Sequence, residues 1–402
     1  MPAVAAPRRS VAVRQTPASG RELPPAAGRS SLIGRMASLD GLRGLACTGV
    51  VCFHVYNVTV PDLSRRDWPA AIRFTLTSLG TSCVTCFFVL SAFLLGQPFL
   101  RWLLGDTGRP SIRRYAVHRC LRILPAWWAI LTLMVAVNAQ WLIQQPLKLV
   151  SFVTLTQNYA GLGHSVVPHG WTLSIEASFY LAAPLAALGL APLLRRLGRP
   201  LRAAVIAVGL SAAVAAAWAY HAGAIPLLQR HQLGLTLPSF LDAFALGGLA
   251  GLTVILRPDR RPVWLPLILA AVAFAAGMGE LTRFRYELAA VAFALVILHL
   301  EADVGALCRL LSSRPLRHLG RLSYGIYLYH LPLAYLALGI GLIDRGHGVQ
   351  TVPATVALLA ASVAAAELSF RLIERPALGV ARRAAPSRRA AQTEGAAAPA
   401  TT

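Results

Sequence analysis

Apolar runs long enough to cross a bilayer recur along most of this chain, and they constrain its fold more than any other feature. A transmembrane helix needs about 17 to 25 mostly apolar residues. Only 13% of the residues are charged and 56% are hydrophobic, whereas about 25% are charged in soluble domains. The sequence therefore predicts an all-α, polytopic transmembrane helix bundle of about ten spans, at 41–58, 75–96, 119–139, 172–192, 203–221, 238–256, 263–278, 284–300, 324–343 and 351–371.

The distribution of the basic residues predicts an orientation for this bundle. Of 38 lysines and arginines, 29 fall in or beside the segments that lie inside if the N-terminus is cytoplasmic, and 8 fall in or beside the outside loops. This asymmetry follows the positive-inside rule and favours an even number of spans with both termini cytoplasmic. The net charge of +22 is then explained by orientation and by contact with anionic lipid, and it does not indicate nucleic-acid binding.

The chain divides into one predicted membrane domain, residues 38–377, and two tails. Residues 1–37 are rich in alanine, proline and arginine and have no apolar segment typical of a secretory signal. Residues 378–402 share this composition. We expect both tails to be disordered and cytoplasmic, because such segments cannot bury enough apolar surface to fold.

The longest predicted loop, 140–171, lies outside. Its apolar stretch 149–156 is too short to span, so we expect it to be re-entrant or to lie at the membrane interface. Two histidines of this loop, His164 and His169, are expected to be solvated, with a smaller chance of meeting a substrate.

The six cysteines lie in or beside the spans and predict no disulfide. Cys83 and Cys86 form a CxxC, but the apolar sequence around them favours an inert buried pair over a redox or zinc site. The sequence contains no P-loop, GxSxG or HExxH motif and no recognisable metal-ligand spacing, so no metal site is expected.

Arg43 and His54 in the first span are the most informative charged residues, because ionisable groups inside a membrane are costly. They are eleven residues apart, which places them within about 20° of the same helical face and about 16 Å apart along the axis. A snorkelling arginine and a hydrogen-bonded core histidine are the structural alternative. A pair on one face favours function, with a cation at the cytoplasmic mouth and a titratable imidazole deeper inside.

Two carboxylates are predicted at the same depth as His54. Glu176 begins the fourth span and Asp242 begins the sixth, and both spans enter from the outside. Three ionisable groups in one layer predict a catalytic base with carboxylate partners. Structural pairing of these carboxylates with an arginine is the alternative.

Four arginines, Arg113, Arg114, Arg119 and Arg122, cluster at the predicted cytoplasmic side before Pro125. They are equally suited to holding phosphates and to anchoring the third span.

Secondary candidates come from the second and ninth spans. Ser91 lies in FFVLSAF, where small residues permit close helix packing. Tyr324, Tyr327 and Tyr329 are best interpreted as an interfacial aromatic belt, with Tyr324 kept as a secondary site candidate. His330 reaches towards the midplane and is a second catalytic candidate.

Taken in order, these segments resemble the acyltransferase 3 family of bacterial integral-membrane O-acyltransferases. The resemblance rests on Arg43-x10-His54 after SLDGLRG, on FFVLSAF, on the basic run before a Pro-aromatic pair, on WTLSIEASFY, on SYGIYLYH and on a closing Glu374-Arg375-Pro376. It covers about 38–377. The chain departs from the family pattern at Ala92, Ala177 and Tyr329, and Ala177 leaves Glu176 as the carboxylate of its motif.

The resemblance implies transfer of an acyl group, expected to be acetyl, from acyl-CoA as co-substrate, with no bound cofactor. The implied acceptor is a hydroxyl of a sugar, glycoconjugate, glycolipid or macrolide-like glycoside, and the implied location is the bacterial inner membrane. Arg43, Arg119 and Arg122 would hold the donor's phosphates. His54 would act as general base or carry the acyl group briefly, oriented by Glu176 or Asp242. The competing interpretation is a transporter or flippase for an amphiphilic small molecule or a lipid-linked sugar.

Overall fold

The computed structural model describes residues 26–60, 70–224, 234–257, 264–277, 284–302, 305–343 and 351–384. These residues form thirteen α-helices joined by short 3-10 turns, which confirms the predicted all-α class. The helices are α1 Ala26–Thr59, α2 Ala70–Leu104, α3 Ile112–Val137, α4 Pro146–Val153, α5 Trp171–Leu194, α6 Arg199–His221, α7 Leu241–Leu256, α8 Leu265–Gly277, α9 Arg285–Leu300, α10 Ala306–Leu311, α11 Arg314–Gly339, α12 Thr351–Ser369 and α13 Arg375–Ala384.

Seven of the described helical segments are long and apolar enough to cross a membrane. They are Met36–Thr59, Ser78–Leu104, Ile112–Val137, Pro168–Leu194, Arg199–His221, Leu237–Leu256 and Val352–Ala384. Helices also cover the three other predicted spans, but α8 and α9 have only 13 and 16 residues, and α11 begins with a charged segment. A multi-pass membrane protein is therefore supported, while the count of ten and the cytoplasmic termini stay predictions.

The helices extend further than the predicted membrane domain at both ends. α1 begins at Ala26 and α13 ends at Ala384, so residues 26–37 and 378–384 are helical; the predicted division into a membrane domain and two cytoplasmic tails stays a prediction. The remaining parts of the two predicted tails, 1–25 and 385–402, lie outside the described residues.

The predicted long loop is an ordered cap over one end of the bundle. Its apolar stretch forms α4, which has eight residues and is bound to α3 because Trp127 Nε1 donates to the carbonyl of Phe152 at 2.7 Å. Further along, Asn158 Nδ2 donates to the carbonyls of Trp171, at 2.8 Å, and Leu235, at 2.5 Å. The cap therefore joins the start of α5 to the segment that precedes α7.

Close packing of α1 against α10 and α11 depends on glycine. A Cβ on Gly41 would lie 1.7 Å from the carbonyl oxygen of Leu311, and one on Gly320 would lie 1.8 Å from that of Asp40. Small residues allow membrane helices to approach at backbone distance. The DGLRG sequence therefore places the α1 backbone directly on α11, with Arg43 and His54 on the same helix.

We predict that Gly320→Ala destabilises the protein, because the new methyl group would overlap a backbone oxygen that cannot rotate away. Overpacking of this kind costs about 1–3 kcal/mol or more, so thermal unfolding in detergent should show a clearly lower Tm. Gly339→Ala is the matched control on the same helix, since its Cβ would meet no described atom within 4 Å. Equal Tm values for the two variants would contradict the packing argument.

Candidate functional site

A cavity of about 200 Å³ lies between α1, α2, α3, α5 and α11. Its polar side chains include most of the residues that the sequence singled out, drawn from five helices that are far apart in the chain. The lining residues are Arg43, Val84, Phe87, Phe88, Ser91, Leu95, Arg119, Arg122, Ile123, Thr172, Leu173, Glu176, Tyr180, Gly320, Ser323, Tyr324 and Tyr327.

The three arginines predicted to hold a donor all line this cavity. Arg43 lies 3.7 Å from Asp40 one turn earlier on α1. The guanidinium of Arg119 lies 5.1 Å from the centre of the Tyr180 ring. Arg122 pairs with Glu374 at 3.1 Å, so its charge is balanced by the acidic residue of the closing Glu-Arg-Pro motif.

A π-helical turn at Phe370–Glu374 puts Glu374 in this position. The turn interrupts the last long helix just before Pro376 and leaves Glu374 only 2% exposed. Such turns are frequent at functional sites. The motif is visible in the sequence, but its pairing with Arg122 is not, because no local pattern relates Glu374 to α3.

A larger open groove, about 1250 Å³ in volume, adjoins the cavity on the side where α3 begins. Leu95, Arg119 and Arg122 line both spaces. We call this space the basic groove, because its other lining residues include Arg109, Arg113, Arg114 and His118, with Leu378 and Ala384 of α13 contributing part of its wall.

Glu176 lies in the cavity, next to arginines rather than to His54. Ser91 Oγ donates to its Oε1 at 3.1 Å and Tyr180 Oη donates to its Oε2 at 2.6 Å, and it interacts electrostatically with Arg119 and Arg43. The alternative of structural pairing with arginine therefore describes its surroundings better than the predicted partnership with His54. Tyr180, one turn further along α5, was not a predicted site residue.

His54 forms a hydrogen-bonded pair with His330. His54 Nδ1 lies 3.0 Å from His330 Nε2 and 3.1 Å from the carbonyl oxygen of Val50. His330 Nδ1 lies 2.7 Å from the carbonyl oxygen of Tyr327 and 3.2 Å from that of Ile326. The two histidines thus meet across α1 and α11.

These partners assign the hydrogens of the neutral rings. Carbonyl oxygens only accept, so His330 Nδ1 carries the hydrogen and His330 Nε2 is an acceptor. His54 Nδ1 must then donate to it, with the carbonyl of Val50 sharing the same hydrogen. The lone pair of His54 Nε2 is left for another molecule, which is the state required of a base.

His169 is buried beside this pair, which corrects the prediction that it is solvated. It is only 1% exposed, its ring centre lies 5.0 Å from that of His330 and 6.5 Å from that of His54, and its Nε2 lies 3.2 Å from the carbonyl oxygen of Leu328. His164 is exposed, as predicted. The signal that could have predicted this burial is the position of His169 in the sequence. His169 lies two residues before the start of α5, so its ring can turn into the bundle.

Tyr327 separates the cavity from the three histidines. Its phenol lines the cavity and bonds to Thr172 Oγ1 at 2.6 Å and to the carbonyl of His169 at 2.5 Å. Its ring centre lies 5.7 Å from that of His330. The cavity therefore ends against the histidine cluster.

The tyrosines of α11 are core residues, which corrects their interpretation as an interfacial belt. Tyr324 Oη donates to the carbonyl of Ile123 at 2.6 Å, and Tyr329 Oη donates to Ser369 Oγ at 3.2 Å. Tyr324, a secondary candidate, lines the cavity.

Asp242 belongs to a different cluster. It is 3% exposed and interacts electrostatically with Glu287 of α9 and His221 of α6. None of the contacts described for His54 involves Asp242 or Glu176. Equal depth in the membrane stays a prediction, and it carried no information about which helices are neighbours.

The described residues contain no group of three or more His, Cys, Asp or Glu side chains suited to a metal ion. None of the six cysteines forms a disulfide, and Cys83 and Cys86 are buried.

Comparison with known proteins identifies the family. A family model described as "Acyltransferase domain" matches residues 36–369, most of the chain. The protein therefore belongs to this acyltransferase family, as its motifs indicated, and it is a multi-pass membrane member of it.

Among curated proteins, the chain is 26% identical to the peptidoglycan O-acetyltransferase OatA of Listeria monocytogenes, over 84% of this chain and 55% of that protein. It is 26% identical to nodulation protein 10 of Rhizobium leguminosarum bv. viciae, over 86% of this chain and 94% of that protein. It is 23% identical to the O-acetyltransferase OatA of Staphylococcus aureus strain NCTC 8325, over 85% of this chain and 57% of that protein. The chain thus spans about half the length of the OatA proteins. No solved structure matches it.

We predict that Arg122 and Glu374 stabilise the fold as a pair. Breaking a buried pair leaves an uncompensated charge and costs about 3–5 kcal/mol, less here because 28% of the Arg122 side chain is exposed. Arg122→Met and Glu374→Gln should each lower the Tm, and the double variant should lose less than their sum. The control pair, Arg371→Met and Glu367→Gln, lies at the surface, with side chains 67% and 30% exposed, and should show little effect. Additive losses at Arg122 and Glu374 would contradict the pairing.

Proposed function

We propose that the protein is a membrane O-acyltransferase that moves an acetyl group from acetyl-CoA to a hydroxyl of a carbohydrate-containing acceptor. The observation that carries the proposal is the His54–His330 pair, which leaves a basic nitrogen beyond Tyr327, the residue at the end of an arginine-lined cavity. The proposed location is the bacterial inner membrane. This location agrees with a donor that is made in the cytoplasm and with the predicted orientation of the spans.

The basic groove and the cavity divide the donor between them. The nucleotide of coenzyme A carries phosphates, which arginines bind well because the guanidinium offers several charge-assisted hydrogen bonds. The basic groove is large enough and basic enough to hold this nucleotide, and Arg113 and Arg114 are exposed along it. The narrow arm of the donor would then pass Arg119 and Arg122 into the cavity. A volume of about 200 Å³ favours a short acyl group.

Glu176 has a role in binding this arm rather than in orienting His54. Its carboxylate holds the hydroxyls of Ser91 and Tyr180 and balances the charges of Arg43 and Arg119. The arm of coenzyme A contains two amide groups, each with one N–H donor and one carbonyl acceptor. A wall with a carboxylate, two hydroxyls and arginine N–H groups can match both, as binding sites do with a few placed polar groups.

Catalysis follows from the free nitrogen of His54. His54 Nε2 takes the proton of the acceptor hydroxyl as its oxygen attacks the thioester carbonyl. The tetrahedral intermediate then collapses, the C–S bond breaks, and the departing sulfur takes the proton from His54, so the reaction consumes and releases no net proton. His330 keeps the attacking tautomer of His54 in place and accepts a hydrogen bond from the imidazolium, as the carboxylate of a catalytic triad does.

The acceptor is proposed from the relatives. Two of them are named as O-acetyltransferases, one of peptidoglycan, which is a carbohydrate polymer with free hydroxyls. A hydroxyl-bearing carbohydrate is therefore the acceptor class that we expect for this chain.

We predict that His54→Ala abolishes transfer while donor binding persists. Loss of a general base lowers the rate by about 10²–10⁴-fold. Membranes supplied with radiolabelled acetyl-CoA would be scored for label in alkali-labile esters, and His164→Ala is the control because His164 is exposed. Full transfer by His54→Ala would overturn the mechanism. Thioester turnover absent from the unsubstituted protein, with acetyl-CoA and longer donors, would favour the transporter instead.

The His54–His330 hydrogen bond gives a sharper version of this test. His330→Leu removes the acceptor for His54 Nδ1, whereas the amide oxygen of His330→Gln can still accept. We expect the Leu variant to lose most of kcat and the Gln variant to recover part of it, with the KM for acetyl-CoA unchanged in both. Equal losses in kcat would mean that His330 serves packing only.

We predict that Arg113→Gln with Arg114→Gln raises the KM for acetyl-CoA about tenfold, which corresponds to about 1.4 kcal/mol of binding energy. The KM for acetyl-pantetheine, which lacks the nucleotide, should not change. Arg309→Gln, an exposed arginine of α10 outside the groove, is the matched control. An equal rise for both thioesters would place the nucleotide elsewhere.

A further inference from the structure

A second polar cluster, made of His221, Asp242 and Glu287, lies at the meeting point of three helix ends. α6 ends at His221, α7 carries Asp242 in its first turn, and α9 carries Glu287 in its first turn. Glu287 is 1% exposed and contacts His221, whose side chain is 24% exposed and forms the accessible side of the cluster. The mechanism proposed above uses none of these three residues.

One oxygen of this cluster lacks a partner. Glu287 Oε1 contacts His221, but Glu287 Oε2 is buried with no hydrogen-bond partner among the described residues. Buried polar atoms in native proteins are nearly always satisfied, so an unsatisfied carboxylate oxygen needs an explanation. A ligand hydroxyl supplies the missing donor.

Aromatic rings surround the cluster. Trp218 interacts with Asp242 and stacks on Phe284 with ring centres 5.9 Å apart. Tyr286, the residue before Glu287, packs edge-on against Phe240 at 6.1 Å. Flat apolar rings beside a few hydrogen-bonding groups are suited to a molecule with apolar faces and polar edges, which describes a sugar ring.

The same rings connect the cluster to the catalytic end of the bundle. The ring centre of Phe240 lies 5.3 Å from that of Phe88, which lines the donor cavity. It lies 5.6 Å from the ring centre of Trp171, which begins α5. His169 is two residues before Trp171. A series of ring contacts therefore links the cluster to the segment that carries His169, at the end of the bundle predicted to face outside.

We propose that His221, Asp242 and Glu287, with the rings of Trp218 and Tyr286, form the acceptor subsite and bind hydroxyl groups of a carbohydrate. The proposal rests on the proposed function, since a subsite for an acceptor requires a transferase. Carboxylate oxygens accept from sugar hydroxyls, the histidine N–H donates to them, and the aromatic rings cover the C–H faces. The acceptor hydroxyl to be acetylated would extend past Trp171 towards His54.

The test separates acceptor binding from donor chemistry. Membranes of the source bacterium, with the gene replaced by each variant, would be given radiolabelled acetyl-CoA, and O-acetyl label on carbohydrate would be measured. The purified variants would be assayed in parallel for acetyl-CoA hydrolysis and for their KM for acetyl-CoA. Glu287→Gln and Trp218→Phe are the test variants. Glu367→Gln, which removes a carboxylate from an ion pair with Arg371, is the control.

We expect Glu287→Gln to lower acetyl transfer at least tenfold and Trp218→Phe to lower it several-fold. Acetyl-CoA hydrolysis and the KM for acetyl-CoA should stay within about twofold of the unsubstituted protein. This result is expected when a substitution leaves the donor site unchanged. Trp218→Phe keeps an aromatic ring but removes the N–H and part of the ring surface, so it stays informative if Glu287→Gln fails to fold.

Three results would overturn the subsite. They are unchanged transfer by both variants, a parallel fall of transfer and hydrolysis in both, and label on a product without sugar. Absence of thioester turnover in the unsubstituted protein is a different result, because it removes the proposed function itself and the subsite with it.

Discussion

The backbone contact between α1 and α11 is the constraint on which the rest of the site depends. Gly41, Gly44 and Gly320 each face backbone atoms of the opposing segment at distances that leave no room for a side chain. A helix held this close cannot rotate, so the face of α1 that carries Arg43 and His54 is fixed against α11. The hydrogen bond between His54 and His330 is a direct consequence, because these residues come from the two helices that the glycines bring together.

Burial of charge explains how the polar groups are distributed. An ionisable side chain in a membrane bundle is tolerated when it pairs, lines a cavity or meets water. Arg122 pairs with Glu374, Glu176 lies among Arg43, Arg119 and two hydroxyls, and the histidines pair through neutral hydrogen bonds. Cationic groups thus collect in the cavity and where the basic groove opens, while the uncharged imidazoles lie beyond Tyr327 at the other end. A thioester donor has a distribution of charge complementary to that of this site, with an anionic nucleotide at one end and a neutral acyl group at the other.

The sequence was sufficient for features that depend on one helix and insufficient for those that depend on how helices pack. Apolar run length predicted the helical bundle, and an eleven-residue spacing put Arg43 and His54 on one face of α1. The Arg43-x10-His54 spacing and the SYGIYLYH motif contain both residues of the histidine pair. Asp242 was assigned to His54 from depth alone, but helix order places it with α6 and α9. His169 was predicted to be solvated because it lies in a loop. Its burial next to the start of a helix depends on tertiary contacts, which no local sequence pattern records.

Tyr327 lies between the cavity and the histidines, so the proposed mechanism requires donor and acceptor chemistry to be coupled through this residue. Its hydroxyl bonds to Thr172 at the start of α5 and to the carbonyl of His169, and its ring faces both the cavity and His330. In the proposed mechanism, a thioester in the cavity would have to pass this ring before its carbonyl could meet His54. Tyr327 is hydrogen-bonded to the segment that continues into Trp171, and Asn158 joins Trp171 to the segment before α7. One set of hydrogen bonds therefore connects the end of the cavity to the cap and to the segment that precedes α7.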